Sequence, residues 1–332
     1  MKKLILLFLS LTFIFSKVSF GHELVLDHDF PDPTIIRAAD GWYYAYATQA
    51  MTEEATPRLL NLQVARSRDL KSWQHLGDAL PVKPTWAKTT QNFWAPHIHY
   101  AYNLYYLYYS AEPDTKDGLC LAVAVSRNPQ GPFVDSGKPM VCGPGFSNID
   151  PMVFNDPQSK MPLLYWGSGF ESIRVQPLTQ NLLSLNPRFK KIDLVWPDRS
   201  SNPAPYTKLL EGAWVIFHQG YFYLFVSGEN CCSPPDPQYA VLVLRSRNSN
   251  GPFEWKDNDP RKSVVIQSSD RFKATGHNAF IHDANGQLWS FHHGVDTQRN
   301  LLRNPIAGDR LNRRVLLRSK INFVNGWPVS QN

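Results

Sequence analysis

Leu104-Tyr105-Tyr106-Leu107-Tyr108-Tyr109-Ser110 is a dense run of strand-forming aromatic and aliphatic residues, and the chain repeats it. Related runs stand at Trp42-Tyr43-Tyr44-Ala45-Tyr46-Ala47-Thr48 and Pro162-Leu163-Leu164-Tyr165-Trp166-Gly167-Ser168. Two more follow at Tyr221-Phe222-Tyr223-Leu224-Phe225-Val226-Ser227 and Gln287-Leu288-Trp289-Ser290-Phe291-His292-His293. Aromatic and β-branched residues favour strands. Five copies at a spacing of about 60 residues mark a repeat architecture.

Each copy is preceded by another short strand. These strands open at Asp32-Pro33-Thr34, Ala95-Pro96-His97, Asp150-Pro151-Met152, Glu211-Gly212-Ala213 and His277-Asn278-Ala279. A third strand follows several copies, at Leu62 to Ser67, Leu121 to Ser126 and Ala240 to Ser246. Gly131-Pro132-Phe133 and Gly251-Pro252-Phe253 then read as turns into an outer strand. Three or four strands per unit, repeated five times, predict an all-β, five-bladed β-propeller. A sandwich or jelly roll is the competing all-β reading, and the regular repeat disfavours it. No glycine-rich phosphate loop opens a helix after a strand, which argues against a nucleotide-binding domain.

The outer limits agree. The chain has 332 residues with 26 prolines, 19 glycines and 13% aromatic residues, a strand-and-turn composition long enough for a large core. Met1-Lys2-Lys3, the apolar run Leu4 to Phe15 and the small residues Ser19 and Gly21 read as a secretory signal peptide over 1–21. Residues 22–332 then form the propeller. An uncleaved anchor is the alternative, but the apolar run is short for a span. Loss of Lys2, Lys3 and Lys17 lowers the formal charge from +6 to +3. With no basic run, nucleic acid is not an expected partner, nor is a membrane once the leader is removed. Export permits disulfides among Cys120, Cys142, Cys231 and Cys232, whose spacing leaves the pairing open and matches no zinc pattern.

In a propeller the first strand of each blade lines the axis, so Asp32, the Trp94 to His97 segment, Asp150, Glu211 and His277 converge on one funnel. Three carboxylates there suit acetal hydrolysis, which needs one proton donor and one base or nucleophile. Glu211 lies among Leu209, Leu210, Gly212, Ala213 and Trp214, an apolar setting that favours a protonated acid. Asp-Pro pairs usually mark turns, as at Asp156-Pro157 and Asp236-Pro237; only repeat phase singles out Asp32 and Asp150. His277 is either a hydrogen-bonded core residue or a metal ligand on the axis. Trp94 and Phe170 are candidates to stack on a sugar face.

These motifs resemble the family 43 glycoside hydrolases, inverting enzymes on a five-bladed propeller. Phe30-Pro31-Asp32-Pro33 is similar to the motif of the general base, Asn148-Ile149-Asp150-Pro151 to that of the pKa-tuning aspartate, and Leu210-Glu211-Gly212-Ala213-Trp214 to that of the general acid. Phe93-Trp94-Ala95-Pro96-His97 resembles the second-blade motif, with His97 where aspartate is commoner. Gly276-His277-Asn278 resembles the histidine that contacts a central calcium or its waters, so the resemblance implies calcium at His277. Arg314 resembles a last-blade arginine that reaches substrate. Gly167-Ser168 and the adjacent Cys231-Cys232 point toward arabinan-active members, so a polysaccharide or oligosaccharide substrate is implied, with Ser168 at its site. The alternatives are a β-xylosidase-type activity on xylan fragments and a non-catalytic sugar-binding propeller. A fructan-cleaving propeller would want motifs that are absent.

Overall fold

The computed structural model describes residues 21–52, 54, 56–167, 169–303 and 310–331. Ser168 and residues 1–20 of the expected leader lie outside the described residues. Five antiparallel sheets of four or five strands form the blades, and two short ribbons accompany them. Blade 1 orders Thr34–Arg37, Tyr43–Ala47, Gln63–Ser67 and Trp73–Asp78. Blade 2 orders Phe93–Ala101, Leu104–Ala111, Leu119–Ser126 and Val134–Asp135, with Val141–Gly143 also on the third strand. Blade 3 orders Met152–Asn155, Pro162–Trp166, Ile173–Pro177 and Ile192–Val195. Blade 4 orders Leu210–His218, Tyr221–Gly228, Ala240–Ser246 and Glu254–Trp255, with Val264–Ile266 also on the third strand. Both Gly-Pro-Phe turns lead, as expected, into the short outer strands of blades 2 and 4.

Blade 5 closes the circle. Phe272–His282 and Leu288–Asp296 are followed by Arg314–Val324, which pairs with Trp327–Gln331 and with the N-terminal strand Glu23–Leu26. The two ends of the chain therefore share one sheet. Each innermost strand packs against the next, and that of blade 5 packs against that of blade 1.

The aromatic runs are continuous because both faces of a blade are buried. Side chains alternate along a strand. Tyr105, Leu107 and Tyr109 therefore face blade 1, where they join Tyr44, Tyr46 and Val64. Tyr106 and Tyr108 face blade 3, where they join Leu164 and Trp166. Three further cores fill the other gaps between blades. Buried tyrosine hydroxyls need partners. Tyr108 donates to Leu182 O at 2.8 Å, Tyr165 to Ser249 O at 2.6 Å and Tyr223 to Gly326 O at 2.6 Å, each reaching the next blade. Tyr46 does the same to Pro129 O. Cysteine pairing, open from sequence, resolves as Cys120–Cys142 across adjacent strands and as the vicinal pair Cys231–Cys232.

Candidate active site

Within or just ahead of each innermost strand, at equivalent places, stands a residue with a left-handed backbone. These are Asp32 (φ 55), Ala95 (φ 44), Asp150 (φ 57), Gly212 (φ 61) and His277 (φ 52). Such a φ is uncommon outside glycine and persists only where the surroundings enforce it. Here the preceding blade supplies the restraint. The Ala95 N–H donates to Thr48 Oγ1 at 2.8 Å, that of Asp150 to Ser110 Oγ at 3.0 Å, and that of His277 to Ser227 Oγ at 2.8 Å. Across the closure, the Asp32 N–H donates to His293 Nδ1 at 3.1 Å. The acceptors Thr48, Ser110, Ser227 and His293 each end one of the repeated aromatic runs. In blade 4 the Gly212 N–H donates instead to Asp150 Oδ2 at 2.8 Å.

This register shifts one expectation by a residue. Asp32, Asp150 and His277 occupy the kink itself, but Glu211 stands one position before it. Glu211 pairs with Ser227 as Trp94 pairs with Ser110, so acid and tryptophan hold equivalent places in blades 4 and 2. Gly212 is the kinked residue of blade 4, and the His277 ring lies against it. A Cβ there would sit 3.2 Å from His277 Nδ1, which accounts for glycine in this motif.

The carboxylates converge as expected and differ in their surroundings. Asp32 receives Arg314 Nη1 at 3.0 Å on Oδ1 and the Thr48 hydroxyl at 2.6 Å on Oδ2. His293 Nδ1 lies 3.2 Å and His277 Nδ1 3.6 Å from Asp32 Oδ1. Burial works to raise the Asp32 carboxyl, but Arg314, His277 and His293 outweigh it and hold it well below the usual carboxylate range. Glu211 is half-buried and accepts the Tyr239 hydroxyl at 2.8 Å on Oε1. Burial and the charge of Asp32 push it up to about 7, against Tyr239 and Arg314. Burial, then repulsion from Glu211 and Asp32, raises Asp150 well above its ordinary value. The mouth thus holds an ionised Asp32 beside an Asp150–Glu211 pair that retains a proton near neutrality. Burial lowers both His277 and His293, the latter to about 4, so both rings are neutral there.

Arg314, expected to reach a ligand, is drawn to the site but spends one donor on Asp32. Trp94 lies at the mouth and stacks on Phe146, with ring centroids 6.2 Å apart and planes 16° apart. Phe146 is 48% and Phe170 61% exposed, so the rim presents apolar rings to solvent. Sequence reading missed Phe146, Thr48, His293 and Tyr239 as site residues. For Thr48 and His293 the signal was their place at the end of an aromatic run; Tyr239 had no local signal beyond the nearby cysteine pair.

These side chains do not by themselves make up the coordination shell of the implied calcium. Calcium takes roughly 6–8 oxygen ligands. His277 Nδ1 lies 4.0 Å from Asp150 Oδ2, and the nearby carboxylates are committed to Arg314, Thr48 and the Gly212 N–H. Among the described residues, no group of three His, Cys, Asp or Glu side chains could hold a metal ion. No step is routed through calcium.

Comparison with known proteins adds lineage to this geometry. The chain is 26% identical over 271 residues to the extracellular exo-α-(1→5)-L-arabinofuranosidase of Cellvibrio japonicus, covering 76% of this chain and 75% of that one. It is 25% identical over 309 residues to the extracellular endo-α-(1→5)-L-arabinanase 1 of Bacillus subtilis, covering 90% and 86%. Among solved structures it resembles the Cellvibrio cellulosa α-L-arabinanase complexed with arabinohexaose, with TM-score 0.75 and 21% identity over 93% of this chain and 96% of that one. It also resembles an exo-1,5-α-L-arabinanase from a bovine ruminal metagenomic library, with TM-score 0.73 and 24% identity over 94% and 100%. The profile of glycosyl hydrolases family 43 matches residues 23–328, almost the whole propeller, and the chain belongs to that family.

Proposed function

We propose that this chain is a secreted glycoside hydrolase that cleaves α-1,5-linked L-arabinofuranosyl bonds of arabinan with inversion. The observation that carries the chemistry is the pair of opposed settings in one funnel: Asp32 held by Arg314 and Thr48, and Glu211 half-buried against the Tyr239 hydroxyl. Glu211 gives its proton to the leaving oxygen as the glycosidic bond breaks. Asp32 takes a proton from a water that attacks the opposite face of the sugar. The two residues come from blades 1 and 4, with blade 5 between them at the ring closure. Arg314 keeps Asp32 ionised at the expense of basicity, and Thr48 fixes the orientation of its carboxyl. Asp150 grips the peptide N–H directly after Glu211 and so holds the backbone that carries the acid. Trp94 and Phe146 offer flat faces to a furanose ring.

The names of the relatives support arabinan as substrate and, being extracellular, support export. The two disulfides agree with an oxidising compartment. The test is product analysis on debranched arabinan, arabinoxylan and the nitrophenyl glycosides of arabinofuranose and xylose. Proton NMR should follow the first anomer released. Arabinose or arabino-oligosaccharides in inverted configuration are expected from arabinan. Xylose from arabinoxylan, with arabinan untouched, would overturn the substrate; a retained anomer would overturn inversion.

A further inference from the structure

Tyr239 is fully buried at the edge of the carboxyl cluster, immediately before the third strand of blade 4. Its hydroxyl donates to Glu211 Oε1 at 2.8 Å. Its ring lies parallel to that of His293, with planes 4° and centroids 5.6 Å apart. His293 in turn touches Asp32. One stacked pair of rings therefore backs both the acid and the base.

The placement of the ring is restrained from several sides. A Cβ on Gly276 would meet Tyr239 ring carbons at 2.2 and 2.5 Å, so blade 5 gives up a side chain where the ring passes. Ala274, Val295 and Cys231 pack around Tyr239. The cysteine loop is tied to Asn312, two residues ahead of the Arg314–Val324 strand, whose Nδ2 donates to Cys232 O at 2.9 Å. A hydroxyl held this firmly can choose between the two oxygens of a carboxyl group.

We propose that Tyr239 is a positioning residue for the proton donor, making Oε1 of Glu211 the accepting oxygen and leaving the transferable proton on Oε2. This rests on Glu211 being the general acid. In the step, the Oε2–H bond breaks and the proton joins the leaving oxygen, which keeps the electron pair of the broken glycosidic bond. Glu211 starts neutral and ends as a carboxylate. The Tyr239 hydrogen bond becomes charge-assisted as that charge appears, so it strengthens along the reaction. The same bond favours the ionised form and moderates the rise in the acid's pKa that burial causes.

The test is the pH dependence of kcat and kcat/KM for Tyr239→Phe, which removes only the hydroxyl. Two substrates are used: an arabino-oligosaccharide, and an aryl arabinofuranoside whose leaving group needs no protonation. On the oligosaccharide kcat should fall about tenfold or more, the range of one hydrogen bond to a developing charge. The aryl substrate should lose much less, and the alkaline limb of the profile should move to higher pH. Fluorotyrosine incorporated at position 239 is a stronger donor and should move the same limb down, a readout that does not depend on the phenylalanine variant folding. An unmoved limb in both proteins, or equal losses on both substrates, would reduce Tyr239 to packing and overturn the proposal. Glu211→Ala assayed alongside separates the two layers. If it fails to retain activity on the aryl substrate, the acid assignment falls; if it retains it and the limb stays fixed in the Tyr239 proteins, only the positioning role falls.

Discussion

Asp32 and Glu211 are both acidic side chains near the axis, yet their neighbours differ, and the proposed roles of base and acid rest on that difference. Arg314 and two imidazoles surround the first; burial and a tyrosine hydroxyl mark the second. Asp32→Asn and Glu211→Gln should each lower kcat on arabinan by about 10²–10⁴-fold, with an unchanged circular dichroism spectrum. The pH profile follows from the same contrast. The base must be ionised, and its carboxyl is held down, so the acid limb should lie below the ordinary carboxylate range. The acid must be protonated, and its pair is held up, so kcat/KM should fall as pH rises through about 7. A rate that keeps climbing to pH 9 would contradict the assignment of Glu211. At this scale much was legible: Asp32, Asp150 and His277 stand in repeat phase and occupy equivalent kinks. Glu211 was found although it sits one residue out of phase, because its apolar neighbours and its motif marked it. Tyr239 was not legible, since 28 residues separate it from the carboxyl it holds.

The innermost strand is the element that turns a repeat into a site. A left-handed residue at its start throws one side chain toward the axis, and the previous blade holds that residue's N–H. In blade 4 the kink falls on glycine, at φ 61, with the His277 ring against it. Gly212→Ala should therefore lower unfolding free energy by about 1–2 kcal/mol, the cost of a left-handed non-glycine residue plus a displaced ring. It should also lower kcat at least tenfold, since Glu211 and His277 flank the strain. Urea unfolding and steady-state kinetics on one preparation would show both effects. Wild-type stability would mean that the surroundings absorb the methyl group freely. The strands themselves were legible in sequence because period-two alternation with two buried faces leaves an unbroken apolar run. The kinks were not, because the enrichment of Asp and His in left-handed backbone is too weak to mark a position and Ala95 has none; the acceptor on the neighbouring blade imposes the conformation.

For the whole molecule the decisive contact is the closure of the ring. Glu23–Leu26 lies beside Arg314–Val324, and Arg318 locks the pair. Its Nε donates to Glu23 Oε2 at 2.8 Å and its Nη1 to Leu70 O at 3.2 Å, reaching blade 1. The guanidinium lies 4.1 Å over the Trp289 ring, and the residue is only 2% exposed. Arg318→Ala leaves the carboxylate of Glu23 in a setting 54% exposed to water, so the loss is of packing and hydrogen bonds and should cost about 1–3 kcal/mol, lowering Tm by a few degrees. Because Arg318 touches none of the three carboxylates, kcat/KM at 25 °C should stay within about twofold of wild type. A thermal melt and an assay at that temperature check both. An unchanged Tm would mean that the closure is held by backbone pairing alone.

Sequence alone determined the number of blades, the order of their strands and the residues that line the axis, because a repeat of alternating strands is written locally and reappears at each period. Only the tertiary structure decided what those residues are chemically. Arg314 lies 282 positions from the carboxylate it keeps charged, and His293 lies 261 positions from the N–H it holds. Protonation depends on distance and desolvation in space. The closing of the ring sets both, and with them which carboxyl is held down and which is held up.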